Sequence, residues 1–128
     1  MNEDFASRIL CVEDNRDECE LVKAILANYE VTCVESIAAT WVLLNKAKFA
    51  LAILDAHLPD GSGLTLCSQI TRSDQEVPVI MISGDPYITA AEAHEAGAKA
   101  FLSKSSQTYV EDIHRLVDQY ALKAAARA

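Results

Sequence analysis

The sequence of 128 residues predicts an α/β fold built on a doubly wound, five-stranded parallel sheet with helices on both faces. Two observations carry this prediction. Five short apolar runs lack polar alternation, which is typical of parallel strands covered on both faces. Segments with helical periodicity separate these runs, so the chain consists of five strand-then-helix units.

The strands are predicted at the apolar, mostly β-branched runs. They are residues 9–12, 31–34, 49–54, 77–82 and 100–102. Because crossovers between parallel strands are right-handed, helices must cover both faces of the sheet. The leading candidate for the strand order is the flavodoxin-like 2-1-3-4-5.

The predicted helices are marked by capping residues, by apolar stripes or by both. The predicted starts are Asn15 with Glu18 as a capping-box acid for the first helix, Ser36 for the second, Asp85 with Pro86 for the fourth and Ser106 for the fifth, and Gly97 ends the fourth helix. The expected inward residues are Leu21, Val22, Ile25 and Leu26 in the first helix, Ile37, Trp41 and Leu44 in the second, Leu64, Cys67 and Ile70 in the third, and Val110, Ile113, Leu116, Val117 and Tyr120 in the fifth.

Composition favours one folded domain over residues 1–128, with a core at about 8–122 and a tail at 123–128 that frays or begins a linker. Apolar residues make up 51% of the chain, which is enough for a packed core. The net charge of -8 disfavours direct contact with nucleic acid or an anionic membrane. No apolar run approaches the roughly 20 residues of a membrane span, and residues 1–8 lack an export signal, so we expect a cytoplasmic chain.

The four cysteines are Cys11, Cys19, Cys33 and Cys67. They show neither a CxxC pair nor the spacing of a zinc site. We therefore expect reduced thiols that fill the core.

Polar residues terminate four of the five predicted strands. Strand 1 ends at Glu13 and Asp14, strand 3 at Asp55, strand 4 at Ser83 and Gly84, and strand 5 at Ser103 and Lys104. Neighbouring strands lie about 5 Å apart, so these side chains should converge on the edge where doubly wound sheets bind ligands. Glu35 ends the edge strand and should lie outside the cluster.

Three converging carboxylates repel one another, and a divalent cation relieves the repulsion. Mg²⁺ prefers oxygen ligands and commonly takes one or two carboxylates together with water and phosphate oxygens; Mn²⁺ is the expected substitute. Lys104 adds a positive charge on the other side and Ser83 a hydroxyl donor. This arrangement predicts a pocket for a tetrahedral dianion centred on Asp55, as phosphoryl transfer requires.

Four segments together make the chain resemble the receiver domain of bacterial two-component response regulators, over about residues 8–122. The segments are VEDN at 12–15, LDAHLPDGSG at 54–63, ISG at 82–84 and AFLSK at 100–104. Each is a weak signal alone, but all four occur in order at strand ends.

The resemblance implies a role for each matching residue. Asp55 would be the phosphoacceptor. Asp14, Glu13 through water, Asp55 and the backbone carbonyl of His57 would hold Mg²⁺. Phosphate ligands would be Ser83, Lys104 and the backbone N–H groups near Ala56 and Gly84, and the switch residues would be Ser83 and Phe101. The output surface, and the face for a homodimer, would be formed by the fourth helix, fifth strand and fifth helix.

Three positions depart from the usual receiver pattern. Ser105 follows Lys104 where most members have Pro, so the resemblance does not define the reach of Lys104. Ser83 replaces the commoner Thr, and Phe101 cannot donate a hydrogen bond as Tyr can. We expect the phosphorylation chemistry to survive and the coupling to the output face to be altered. The His57 side chain acts on the attacking water, shields the phosphate, or is a solvated loop residue.

These features predict a phosphoacceptor signalling domain, not a classical enzyme. Its donor would be a sensor histidine kinase or a histidine phosphotransfer protein, and its output partner or missing output domain is unknown. A stand-alone regulator and the receiver of a longer protein both fit. The alternatives are a degenerate receiver acting as an unphosphorylated scaffold and an aspartyl-phosphate phosphohydrolase. A flavin carrier is disfavoured because two acids occupy the phosphate loop it would need after strand 1.

Overall fold

The structure is a computed structural model that describes residues 5–127. Residues 1–4 of the segment inspected for an export signal, and residue 128 of the predicted tail, lie outside the described residues. Within the described part of the chain, no helix is both long enough and apolar enough to cross a membrane.

The central sheet has five parallel strands in the predicted order 2-1-3-4-5. The strands are β1 (Arg8–Val12), β2 (Glu30–Val34), β3 (Leu51–Asp55), β4 (Val79–Ser83) and β5 (Ala100–Ser103). A short antiparallel pairing of His57–Leu58 with Gly61–Ser62 follows β3. The α/β, flavodoxin-like architecture is thus confirmed, and β1, β3, β4 and β5 are consecutive neighbours.

Five α-helices cover the two faces of the sheet. They are α1 (Arg16–Ile25), α2 (Ile37–Leu44), α3 (Gly63–Arg72), α4 (Ala90–Glu95) and α5 (Tyr109–Arg127), and a 3₁₀ turn (Phe5–Ser7) precedes β1. Alternate strand residues divide between two apolar cores. Ile9, Cys11 and Ile53 pack with residues of α1 and α5. Leu10, Val12 and Leu54 pack with residues of α2, α3 and α4.

The N-caps predicted for the first two helices form, but the capping box expected at Glu18 does not, because the Asn15 N–H donates to Glu13 Oε2 at 3.1 Å instead. Asn15 Oδ1 accepts a hydrogen bond from the Glu18 N–H at 3.0 Å, and Ser36 Oγ accepts one from the Ala39 N–H at 3.1 Å. These bonds satisfy N–H groups that have no partner inside the helix. The Glu18 side chain reaches toward Lys104 (Nζ–Oε1 3.9 Å).

The predicted start of the fourth helix at Asp85 and Pro86 is wrong. Those residues form a turn in which Asp85 Oδ1 accepts from the Tyr87 N–H at 2.8 Å. The helix begins after Thr89, where Thr89 and Glu92 form a reciprocal capping box. This box satisfies two N–H groups and therefore outcompetes the Asp-Pro start. Gly97 ends the helix as predicted, with φ +103°.

Two residues predicted to face inward are exposed, because each helix is rotated slightly from the expected stripe. Leu21 is 41% exposed and Val110 is 43% exposed. Cys19 and Tyr109 are buried instead. Helix α5 starts at Tyr109 rather than Ser106 and continues through Arg127, with Ala124 fully buried, so the described part of the predicted tail is regular helix.

Gly63 determines how closely α3 approaches the end of β3. A Cβ on Gly63 would clash with the Asp55 carbonyl oxygen and would lie 2.9 Å from the Ala56 Cα. The Gly63 N–H donates to the Ala56 carbonyl at 2.8 Å. Only glycine permits this contact, which holds the segment carrying Asp55 against the first turn of α3.

Candidate functional site

The carboxyl ends of β1, β3, β4 and β5 border a cavity of about 390 Å³. Four of its lining residues are acids, and a lysine, a histidine and an asparagine are among the others. The residues are Glu13, Asp14, Asn15, Asp55, His57, Leu58, Pro59, Gly84, Asp85 and Lys104. The predicted residues Glu13, Asp14, Asp55, His57, Gly84 and Lys104 thus share one cavity, whereas the exposed Glu35, at the end of the edge strand, is not among its lining residues.

Lys104 is the cation at the centre of this cluster. Its Nζ donates to Asp55 Oδ2 at 2.6 Å and to Glu13 Oε1 at 2.8 Å. Burial alone would lower the pKa of Lys104, but the hydrogen bonds to the two carboxylates raise it above the ordinary lysine value. Lys104 therefore stays protonated and screens two carboxylates from each other.

Glu13 is buried, with 1% of its surface exposed. Burial and the neighbouring Asp55 raise the pKa of Glu13 to about 7, although the hydrogen bonds from Lys104 and from the Asn15 N–H oppose the shift. The positive charge of one lysine is therefore insufficient for two buried carboxylates. The repulsion expected among the carboxylates at the strand ends therefore raises the pKa of Glu13 and not that of Asp55.

Asp55 remains the more acidic member of the pair. Burial would raise its pKa, but bonds with Glu13, with the His57 N–H and with Lys104 outweigh burial and lower it below the ordinary aspartate value. The His57 N–H donates to Asp55 Oδ1 at 2.8 Å. Asp55 is therefore ionised at neutral pH, as a nucleophilic carboxylate must be.

Ser83 lies at the end of β4 and is 1% exposed. Its Oγ accepts a hydrogen bond from the Asp85 N–H at 2.9 Å, which leaves the hydroxyl proton for another acceptor. The Ala56 N–H donates to the Ile82 carbonyl at 3.1 Å and is thus engaged within the sheet. Phe101, in β5, is half-buried and packs against the core beneath α2, α3 and α4.

Sequence reasoning missed Asp85 as a member of the site. His57 Nε2 lies 2.7 Å from Asp85 Oδ2, so this pair connects the loops that follow β3 and β4 across the cavity. The hydrogen bond from the Tyr87 N–H lowers the pKa of Asp85 below its ordinary value, and the contact with His57 lowers it further. A signal was present, since Asp85 follows Ser83 by the same two-residue offset as His57 follows Asp55.

Glu18 is a second member that was missed, because its position suggested only a helix cap. Its Oε1 lies 3.9 Å from Lys104 Nζ, and this oxygen is buried without a hydrogen-bond partner in the described structure. The Tyr109 hydroxyl is likewise buried without a hydrogen-bond partner in the described structure. Charged Glu18 nearby adds to burial in raising the pKa of Tyr109.

The donor set suits a hard cation. Between residues 5 and 127, no group of three or more His, Cys, Asp and Glu side chains is arranged as a ready metal cluster. Mg²⁺ needs no such cluster, since it binds through one or two carboxylates and keeps several waters. Asp14 is exposed and, with Glu13 and Asp55, offers carboxylate oxygens to the cavity. The raised pKa of buried Glu13 indicates that the cluster lacks positive charge, so the residues present fit Mg²⁺.

The chain is similar in sequence to curated regulatory proteins. VanR, a regulatory protein of Enterococcus faecium, is 33% identical over 103 residues, which cover 78% of this chain and 44% of VanR. The chain spans less than half the length of such curated relatives.

Solved structures share the fold over nearly the whole chain. The signal receiver domain of a Luxo repressor protein from Vibrio parahaemolyticus has a TM-score of 0.82 at 26% identity, covering 94% of both chains. Response regulator TrrA from Thermotoga maritima, solved in complex with Mg²⁺-BeF, has a TM-score of 0.77 at 23% identity, covering 89% of this chain and 98% of that one.

The family model described as the response regulator receiver domain matches residues 9–117, and these residues contain every strand end that borders the cavity. Taken with the strand order and the acid–lysine cluster, this match shows that the chain belongs to the response regulator receiver domain family of two-component signalling.

Proposed function

We propose that the chain is a phosphoacceptor whose Asp55 takes a phosphoryl group from the phosphohistidine of a sensor histidine kinase or a histidine phosphotransfer protein. An Asp55 carboxylate oxygen forms the new P–O bond, the P–N bond breaks, and the released imidazole takes up a proton. The observation that carries the proposal is the contact of Lys104 Nζ with both Asp55 (2.6 Å) and Glu13 (2.8 Å) at the cavity.

The residues around Asp55 divide the work of charge stabilisation. Lys104 is positioned to pair with a phosphoryl oxygen once a second cation takes over the carboxylates. The Ser83 hydroxyl and the Gly84 N–H are the proposed further donors, and the Ala56 N–H could join them only by leaving the Ile82 carbonyl. Preorganised donors of this kind stabilise charge without reorganising during the reaction.

Asp14, Glu13, Asp55 and the His57 carbonyl are the proposed ligands of Mg²⁺, with Mn²⁺ as a substitute. The bound ion would neutralise charge on the carboxylates and on the phosphoryl oxygens. TrrA, whose structure contains Mg²⁺-BeF, supports this assignment by shared fold.

The signal would pass from Ser83 to the face formed by α4, β5 and α5. The Ser83 hydroxyl proton can be donated to a phosphoryl oxygen, and a movement of Oγ toward the phosphoryl group would draw along the Asp85 N–H that donates to it, which alters the loop after β4. Phe101 is the proposed second switch residue. The switch works only if the phosphoryl group contacts the two loop states differently.

The decisive test is intact-mass measurement after incubation with Mg²⁺ and a small phosphodonor such as acetyl phosphate. The expected result is the gain of one acid-labile phosphate, which is lost in Asp55→Asn and after chelation. Asp74→Asn is the matched control, because Asp74 is exposed in the loop between α3 and β4 and is not among the lining residues of the cavity. An unchanged mass in donor excess would favour a scaffold, and release of many phosphates per protein would favour a phosphohydrolase.

The His57 and Asp85 pair is expected to lengthen the life of the aspartyl phosphate by restricting water. His57→Ala and Asp85→Ala should each speed phosphate loss about fivefold, the effect of roughly 1 kcal/mol on the barrier. The measurement is decay of the phosphorylated mass after donor removal, with the exposed His114→Ala as control. Slower loss in His57→Ala would instead assign the imidazole as a base for water, and an unaltered rate would make it a solvated residue.

A further inference from the structure

Three of the four cysteines meet on one side of the sheet, beneath α1. Cys11 in β1 and Cys33 in β2 are directly paired in the parallel ladder. Cys19 in α1 is buried, and its Sγ donates to the Glu13 carbonyl at 3.3 Å. Cys67 belongs to the core on the opposite side of the sheet. The sequence positions of these cysteines suggested isolated core residues, whereas the fold makes a thiol cluster of three of them.

Cys33 is the member of the cluster that a reagent can reach, since it is half-buried and β2 is the edge strand. A hydrogen bond from Cys11 is the main influence that lowers the pKa of Cys33 to about 6; burial opposes it, and Cys19 and Lys23 assist. Nearby Glu20 acts weakly the other way. Cys33 therefore carries more thiolate at neutral pH than an ordinary cysteine does.

Accessibility matters as much as ionisation. At pH 7 a pKa of about 6 increases the thiolate fraction about thirtyfold over an ordinary cysteine, but the weaker basicity lowers nucleophilicity about tenfold. The net gain is only a few-fold. Cys33 is thus distinguished by the combination of an ionised sulfur, partial exposure and a second thiol directly opposite.

We propose that Cys33 is a site of oxidation by hydroperoxides and that Cys11 closes a disulfide with it across β1 and β2. Paired residues on adjacent strands have Cα atoms about 5 Å apart, within the range that a disulfide spans. This proposal does not depend on the phosphorylation of Asp55.

The chemistry proceeds in two balanced steps. The Cys33 thiolate attacks one oxygen of hydrogen peroxide, the O–O bond breaks, and with one proton the products are Cys33 sulfenic acid and water; an organic hydroperoxide would release its alcohol in place of water. The Cys11 sulfur then forms the S–S bond, the Cys33 S–O bond breaks, and the Cys11 proton leaves with the hydroxide as a second water. The peroxide is reduced by two electrons and the two thiols are oxidised by two.

The crosslink would lie next to the carboxylate site. Cys11 precedes Glu13 by two residues, and the Glu13 N–H donates to the carbonyl of Val34, the residue after Cys33, at 2.9 Å. The Cys19 thiol contacts the Glu13 carbonyl from the other side. Oxidation therefore occurs at the strands that hold Glu13 in place.

The test treats the full chain with hydrogen peroxide, blocks the remaining thiols and maps peptides by mass spectrometry. The expected product is a Cys11–Cys33 linked peptide that lacks two hydrogen atoms and is lost on reduction with dithiothreitol. Cys33→Ser should abolish the product, and Cys67→Ala, the matched control, should leave it unchanged. Circular dichroism verifies that each variant is folded.

A second measurement does not need the disulfide to form. In Cys11→Ala the sulfenic acid at Cys33 should accumulate and be trapped by dimedone. In the wild-type protein, alkylation of Cys33 by iodoacetamide should reach half its maximal rate near pH 6, about two and a half units below an ordinary thiol. Oxidation of Cys33 no faster than that of Cys67, absence of the dimedone adduct, or a disulfide from Cys33 to Cys19 would each overturn the proposal.

Discussion

Lys104→Met is expected to slow phosphorylation of Asp55 about a hundredfold and to lower the free energy of unfolding by about 3 kcal/mol at pH 8. The side chain is 19% exposed and contacts two carboxylates that are 1% and 9% exposed. Methionine keeps the length and apolar character of lysine but removes the ammonium, so the two anions face each other without a counterion. The measurements are the rate of mass gain with acetyl phosphate and urea unfolding.

The stability loss should shrink at pH 5, because Glu13 then takes up a proton and the repulsion disappears. Lys99→Met is the matched control, since Lys99 is exposed just before β5, at the far end of the strand from Lys104. The stability result does not depend on the phosphorylation proposal. Wild-type stability of Lys104→Met at pH 8 would contradict the role assigned to the ammonium.

The metal-free protein is expected to lose roughly 2–3 kcal/mol of stability as the pH rises from 5 to 8, because of Glu13 alone. The pKa of Glu13 is raised from 4.5 to about 7 in the folded state. An acid with a raised folded pKa contributes stability below its unfolded pKa and loses that contribution as the pH rises through the folded value. Asp55 affects the free energy of unfolding in the opposite direction, because its pKa is lowered in the folded state. Its stabilising contribution is lost only as the pH falls below about 4, where the carboxyl group of the unfolded chain takes up a proton.

Urea unfolding at several pH values in the presence of a chelator measures this slope. Glu13→Gln should flatten it, because the amide cannot ionise, whereas Glu35→Gln, at an exposed position outside the cavity, should leave it unchanged. If Mg²⁺ binds as proposed, adding it should restore stability most strongly at pH 8, where Glu13 is ionised. A slope that survives in Glu13→Gln would assign the pH dependence to other groups.

Local sequence patterns were sufficient for the sheet and most helices, but they misplaced helix starts and faces where two local signals competed. The Asp85-Pro86 pair and the Thr89–Glu92 capping box both mark a helix start, and only the second gives reciprocal hydrogen bonds. Leu21 and Val110 fit an apolar stripe by spacing, yet both are exposed, because docking against the sheet determines the rotation of a helix.

By itself, the sequence determined the class of fold and the edge of the sheet where chemistry is possible. Continuous apolar runs require strands covered on both faces, and acids or a lysine at the ends of those runs then have to emerge on one edge. These are consequences of short-range periodicity, which a linear chain displays directly.

Tertiary structure alone decided which of these groups touch. Lys104 meets Glu13 across 91 residues of chain and Asp55 across 49, and His57 meets Asp85 across 28. The pairing of Cys11 with Cys33 likewise depends on strand register. Contacts over such separations are set by the order of the strands, their register and the packing of helices upon them, because a shift of one residue would turn each side chain to the opposite face.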